Sequence, residues 1–146
     1  MSFERIEIGG PGYREALRAF ARDRRGVLVV PDHRAAEGVA KDLGVDLYRI
    51  DLSAIISKYI GETEKNLDRV FGAVEGSGLA IFLDGADAVF GERAGAAAVD
   101  PSVPGQVSSL LARVAQIDGL AVVASRHPDG LSEELRLEIR AVLERP

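Results

Sequence analysis

The chain has 146 residues, 47% hydrophobic and 28% charged, with a formal charge of −5 and no cysteine. That size suits one domain with one core, and the lack of thiols excludes disulfides and thiolate metal sites and fits a reducing cytoplasm. An acidic balance is a poor footprint for nucleic acid, and no apolar run approaches the roughly 20 residues that span a bilayer.

The N-terminus, MSFERIEIGG, carries early acids and no apolar stretch, so no secretory leader is expected. Tyr13 to Arg24 reads as a helix with Leu17, Phe20 and Ala21 on one side. Arg22, Arg24 and Arg25 alternate with Glu15 and Asp23, the pattern of a solvated helix face. A strand follows at Gly26 to Val30, then a helix from His33 to Leu43 with Ala36, Val39, Ala40 and Leu43 aligned. Leu47 to Leu52 is the second strand. Glu62 to Glu75 is helical, with Leu67, Val70, Phe71 and Val74 at the right spacing. Leu79 to Asp84 is the third strand. Gly91 to Gly105 is small, Gly- and Pro-rich, and reads as a loop. Gln106 to Ile117 is helical and Leu120 to Ser125 is the fourth strand.

From Ser132 the tail reads as one helix as easily as a helix followed by a fifth strand, Ile139 to Glu144. The first, third and fourth strands are nearly continuous apolar runs, the mark of strands buried on both faces of a parallel sheet. Alternating strands and helices predict an open α/β sheet with right-handed crossovers. His33 and His127 are isolated in polar turns and read as surface residues rather than a metal pair.

Ligands of such sheets bind beyond the carboxyl ends of the strands. After the first strand, a phosphate cradle would need the pattern GxxxxGK[ST]. The sequence there is Pro31-Asp32, with Asp32 in the position of a helix N-cap. The three lysines, Lys41, Lys58 and Lys65, lie elsewhere.

The run DLYRIDLSAIISKYIGETEKNLDRVF after the first helix pair resembles the AAA+ ATPase family, most closely the AAA-type ATPases that accompany contractile injection systems. AIFLDGADAVFGERAG resembles the family's second nucleotide motif, and the likeness continues through LAVVASRHPDGL to the end of the chain. The resemblance implies a single domain over residues 1–146. Its expected form is a three-layer αβα, mostly parallel five-stranded P-loop NTPase-like sheet. The fifth strand would lie beside the first, followed by the fourth, third and second. The family's C-terminal helical lid would be absent.

The same resemblance assigns roles. Asp84 matches the acid that holds magnesium, and Gly85 replaces the Glu that polarises the attacking water. Asp87 matches the last acid of the motif. Ser125 and Arg126 replace a Thr-Asn pair whose Asn senses the γ-phosphate, and Leu137 and Glu138 replace the arginine fingers. Lys58, Tyr59, Ile60 and Gly61 match a central-pore loop that grips threaded polypeptide in ring-forming relatives.

A positioned general base contributes about 10²–10⁴ in rate and an arginine finger about 10³–10⁵. The expectation is therefore a domain with no catalytic residue and no bound cofactor. Asp84, Asp87 and Arg126 would be a vestigial nucleotide site and Asp84 its metal ligand. The domain would act in the cytoplasm by binding protein or assembling with an active AAA-type ATPase. Nucleic acid and membrane are not expected partners. The alternative is a switch that binds ATP and magnesium, with Asp84 on the metal, Arg34 or Arg126 on phosphate, and a partner supplying the missing groups.

Overall fold

The computed structural model describes residues 3–54, 63–91 and 105–146. In chain order these form β1 (Arg5–Glu7), α1 (Tyr13–Asp23), β2 (Val27–Val30), α2 (His33–Leu43), β3 (Leu47–Asp51), α3 (Thr63–Glu75), β4 (Ala80–Asp84), α4 (Ala86–Phe90), α5 (Gly105–Ala115) and β5 (Leu120–Ala124). A 3-10 turn (Pro128–Gly130), α6 (Glu133–Arg136) and β6 (Ile139–Glu144) complete the chain. The strands make one sheet in the order β1-β6-β2-β5-β4-β3, and every pairing in it is parallel.

The five expected strands are all present, in the expected order. The correction is a sixth, β1, paired with β6 at the edge. Its three residues, Arg-Ile-Glu, bury only Ile6, too little apolar patterning to register as a strand. The C-terminal ambiguity resolves as a short helix followed by β6. Ser132 caps α6 by accepting from the Leu135 amide, and the backbone then enters the sheet beside β2.

The apolar runs behave as their composition demands. Every residue of β2 is buried, as are the first four of β4 and of β5. One sheet face packs Leu17 and Phe20 of α1 and Val39 of α2 against Leu28, Val30, Phe82 and Val122. The other packs Phe71 and Val74 of α3 and Leu110 and Val114 of α5 against Ile81, Leu83 and Val123. The result is three layers, helices on both sides of the sheet. Each buried large apolar side chain contributes on the order of 1.5–3 kcal/mol. Among the described residues, no helix is long and apolar enough to cross a membrane.

Local chemistry sets the helix ends. Asp32 caps α2 by accepting from the Ala35 amide at 2.9 Å, and Gly44, at φ 77°, closes it in the left-handed conformation that glycine adopts without strain. Where α3 and α5 end, Arg113 forms a bidentate pair with Glu75, bonds Asp68 at 3.0 Å and lies 5.3 Å from the centre of the Phe71 ring. Glu75 also accepts from the Asp118 amide at 2.8 Å. The Arg113 bonds, with the Asp118 amide assisting against desolvation, hold the Glu75 carboxyl below its usual range.

The Glu75–Arg113 pair is largely buried, and deleting one partner leaves the other charge uncompensated. Arg113→Ala is therefore expected to lower the unfolding free energy by about 3 kcal/mol in urea titrations. A carboxyl with a depressed folded pKa stabilises above its unfolded pKa and loses that contribution as pH falls through the folded value. The gap between wild type and Glu75→Gln should thus be largest near neutrality and shrink in acid.

Candidate functional site at the carboxyl edge of the sheet

The parallel sheet brings the carboxyl ends of all its strands to one edge. Asp51 and Asp84 end β3 and β4 as register partners. Ser125 and Arg126 follow β5, Pro31 and Asp32 follow β2, and Arg145 follows β6. Arg5, Val30, Pro31, Asp32, Ser125, Arg126, Glu144 and Arg145 line a cleft of about 370 Å³ there. A wider hollow at the far end of α2, among Glu37, Lys41 and Asp46, is not on this edge and gathers none of these strand-end groups.

At the start of α2 the N-terminal amides meet a carboxylate of the chain itself. Besides the Ala35 amide, Asp32 binds Arg145, with Nη1 at 2.6 Å and Nη2 at 2.8 Å. The Ala35 N–H and then Arg145 hold the Asp32 carboxyl below its ordinary range. Arg5 bridges Asp129 at 2.9 Å and Glu144 at 3.0 Å across the cleft wall. Arg126 is exposed and close enough for its charge to act on Asp32, but among the described residues neither its side chain nor that of Arg34 makes a hydrogen bond or ion pair.

Asp84 has a cationic partner too. Arg49 Nε donates to its Oδ2 at 2.6 Å, while Arg49 lies 3.9 Å from Asp51. The pairing follows from register: Arg49 stands opposite Phe82, two residues before Asp84, so the two side chains share a sheet face as diagonal neighbours. The same face carries the His33 ring, stacked on Phe82 with centroids 4.9 Å apart. Asp51 accepts from the Ala54 amide at 3.2 Å and caps the turn after β3. Among the described residues, no group of three or more His, Asp or Glu could hold a metal ion.

Asp87 lies in the first turn of α4 but serves β5 rather than its own turn. Its carboxylate accepts from Ser125 Oγ at 2.5 Å and from the Arg126 amide at 3.0 Å. The Ser125 hydroxyl in turn accepts from the His127 amide at 3.1 Å. Ser125 is the buried polar residue of the described core, and this network fixes the exit of β5.

Gly85, which caps α4, has φ 86° and ψ 20°. A Cβ there would meet Ser53 Oγ at 3.5 Å, an ordinary contact, so a side chain at this position is opposed by backbone strain rather than by space.

The sequence places Asp84, Asp87 and Arg126 on this edge, and the structure brings all three there. It separates them into two networks, Arg49–Asp84 and Asp87–Ser125, with the Arg126 side chain outside both. Arg49, Arg145 and Arg5 were not singled out from sequence. The alternation of Arg49 and Asp51 along β3 was the available signal for the first, and none existed for the other two. Leu137, which the resemblance sets where the family has an arginine finger, is 59% exposed and apolar. Lys58, Tyr59, Ile60 and Gly61 lie outside the described residues.

A parallel αβα sheet with this strand order and an acid ending β4 defines the P-loop NTPase class of fold. Within it, the family described as ATPase family associated with various cellular activities (AAA) matches residues 34–145, and the chain belongs to that family. The match begins inside α2, after the Pro31–His33 turn, and ends beyond β6.

Gly85→Ala and Gly85→Glu should each lower the unfolding free energy by about 1 kcal/mol, because both place a Cβ in the left-handed region. Equal losses for the neutral and acidic substitutions in chemical denaturation would locate the cost in the backbone. A neutral or stabilising effect would contradict the strain.

Proposed function

We propose that this AAA-family domain does not hydrolyse ATP and acts as a protein-binding or assembly module. The observation that carries the reading is that the chain's own ions take the places a nucleotide and its metal would need. A helix N-terminus in this fold favours an anion, and Asp32 supplies that anion internally, neutralised by Arg145. An entering phosphate would meet a carboxylate there and would have to displace the pair. The acid at the end of β4 is already countered by Arg49. The residues present therefore do not fit a magnesium triphosphate, and no hydrolytic step is assigned to them. Gly85 offers no base, and Leu137 no cation.

The partner that the sequence resemblance implies is an active AAA-type ATPase in the cytoplasm, beyond which lies a contractile injection system. In a mixed ring this chain would bring its neighbour neither a phosphate cradle nor an arginine. Its contribution there would be that of a spacer, adaptor or inhibitor. A second reading, the nucleotide-dependent switch, is favoured by one feature: the Arg126 side chain lines the cleft with no hydrogen bond or ion pair among the described residues.

Calorimetry with ATP, ADP and magnesium separates the two. The assembly module is expected to give no saturable heat and no phosphate release above an Asp84→Ala control. A micromolar affinity that Asp84→Ala or Arg126→Ala abolishes would establish the switch instead. Light scattering with a purified AAA-type ATPase should then report a co-assembly that does not depend on added nucleotide.

A further inference from the structure

We propose that the outward ridge of α1 is a docking surface for a short acidic segment of a partner protein. Arg14, Arg18 and Arg22 follow one another at a spacing of four residues, and Arg25 lies just past the helix end. At about 1.5 Å rise per residue, the helical guanidinium stems stand about 6 Å apart along one face. All four residues are exposed. The opposite face anchors the helix: Tyr13, Leu17 and Phe20 are buried, and the Tyr13 hydroxyl donates to Asp42 at 2.6 Å.

Arg22 pairs with Asp23 at 3.0 Å, and Arg34, Arg69 and Arg126, unpaired among the described residues, stand singly elsewhere in the fold, whereas Arg14 and Arg18 are consecutive on one helix face. Arg5, Arg24, Arg49, Arg113, Arg140 and Arg145 each have a carboxylate partner. Arg14, Arg18 and Arg25 have none among the described residues. The sequence suggests that Asp23 balances the row, but Asp23 also serves Arg140 at 2.8 Å, besides Arg22 at 3.0 Å. Glu15, three residues before Arg18, makes no ion pair among the described residues. Like charges four apart oppose helix formation, and among the described residues no ion pair offsets Arg14 beside Arg18.

Charge complementarity selects the occupant. Guanidinium forks take carboxylates bidentately, and a helix with glutamates one turn apart repeats at the same pitch as the arginine row. The chain as a whole carries −5, so a long polyanion running past α1 would meet repulsion that a short acidic segment avoids. The ridge is independent of the carboxyl-edge cleft and of its reading.

Fluorescence anisotropy tests the surface with two labelled probes: a helical peptide with glutamates at every fourth position, and a polyuridylate of equal charge. Wild type is expected to bind the peptide saturably, more weakly as salt rises. The Arg14→Glu/Arg18→Glu variant should lose about tenfold or more in affinity with an unchanged thermal melt. Arg69→Glu, at an exposed arginine on α3, should bind as wild type does. The proposal is overturned by absence of saturable peptide binding, by an equal loss in Arg69→Glu, or by tighter binding of the polyuridylate. If the double variant melts earlier, Arg14→Gln/Arg18→Gln replaces it, and retained affinity in that variant overturns the proposal as well.

Discussion

The Asp32 carboxylate joins two parts of the fold that are far apart in sequence. It accepts from the Ala35 amide in the first turn of α2 and binds Arg145, just beyond the last strand. A helix start is a centre of positive partial charge. Relatives of this fold class use such a centre for an external anion, whereas here a side chain fills it and a guanidinium completes the balance. The cleft at the sheet edge takes its character from that substitution.

The same logic recurs along the edge. Arg49 neutralises Asp84, Arg5 bridges Asp129 and Glu144, and Asp87 satisfies the Ser125 hydroxyl and the Arg126 amide. Most of these strand-end acids have a partner within the domain. The exposed pairs contribute little to stability individually, but together they set the chemistry that a ligand would encounter. The amino edge is different in kind. There Glu75 and Arg113 are largely buried, and their pair ties α3 to α5 and to the approach to β5.

Function in an AAA fold depends on pieces spread over several strand ends, so the loss of any one does not damage the core. The sheet buries β2, β4 and β5 completely or nearly so, and Phe90, next to the bridge between Gly91 and Leu131, is buried. A scaffold of this kind keeps its surfaces available for binding whatever its strand ends hold.

The sequence by itself determined the buried strands, the main helices, the Asp32 cap and the order of the sheet. Those follow from apolar runs and periodicity over a few residues, and the order follows from the resemblance. It also located Asp84, Gly85 and Asp87, because a strand end is readable from where an apolar run stops. Tertiary structure alone decided what faces those residues. Arg49 meets Asp84 through the register of two strands more than thirty residues apart in sequence. Arg145 meets Asp32 because β6 returns beside β2. The left-handed backbone of Gly85 depends on how α4 is seated against the sheet. Pairings between distant segments are fixed by the packing of the layers; a local pattern such as the Arg49–Asp51 alternation marks a candidate residue but does not name its partner.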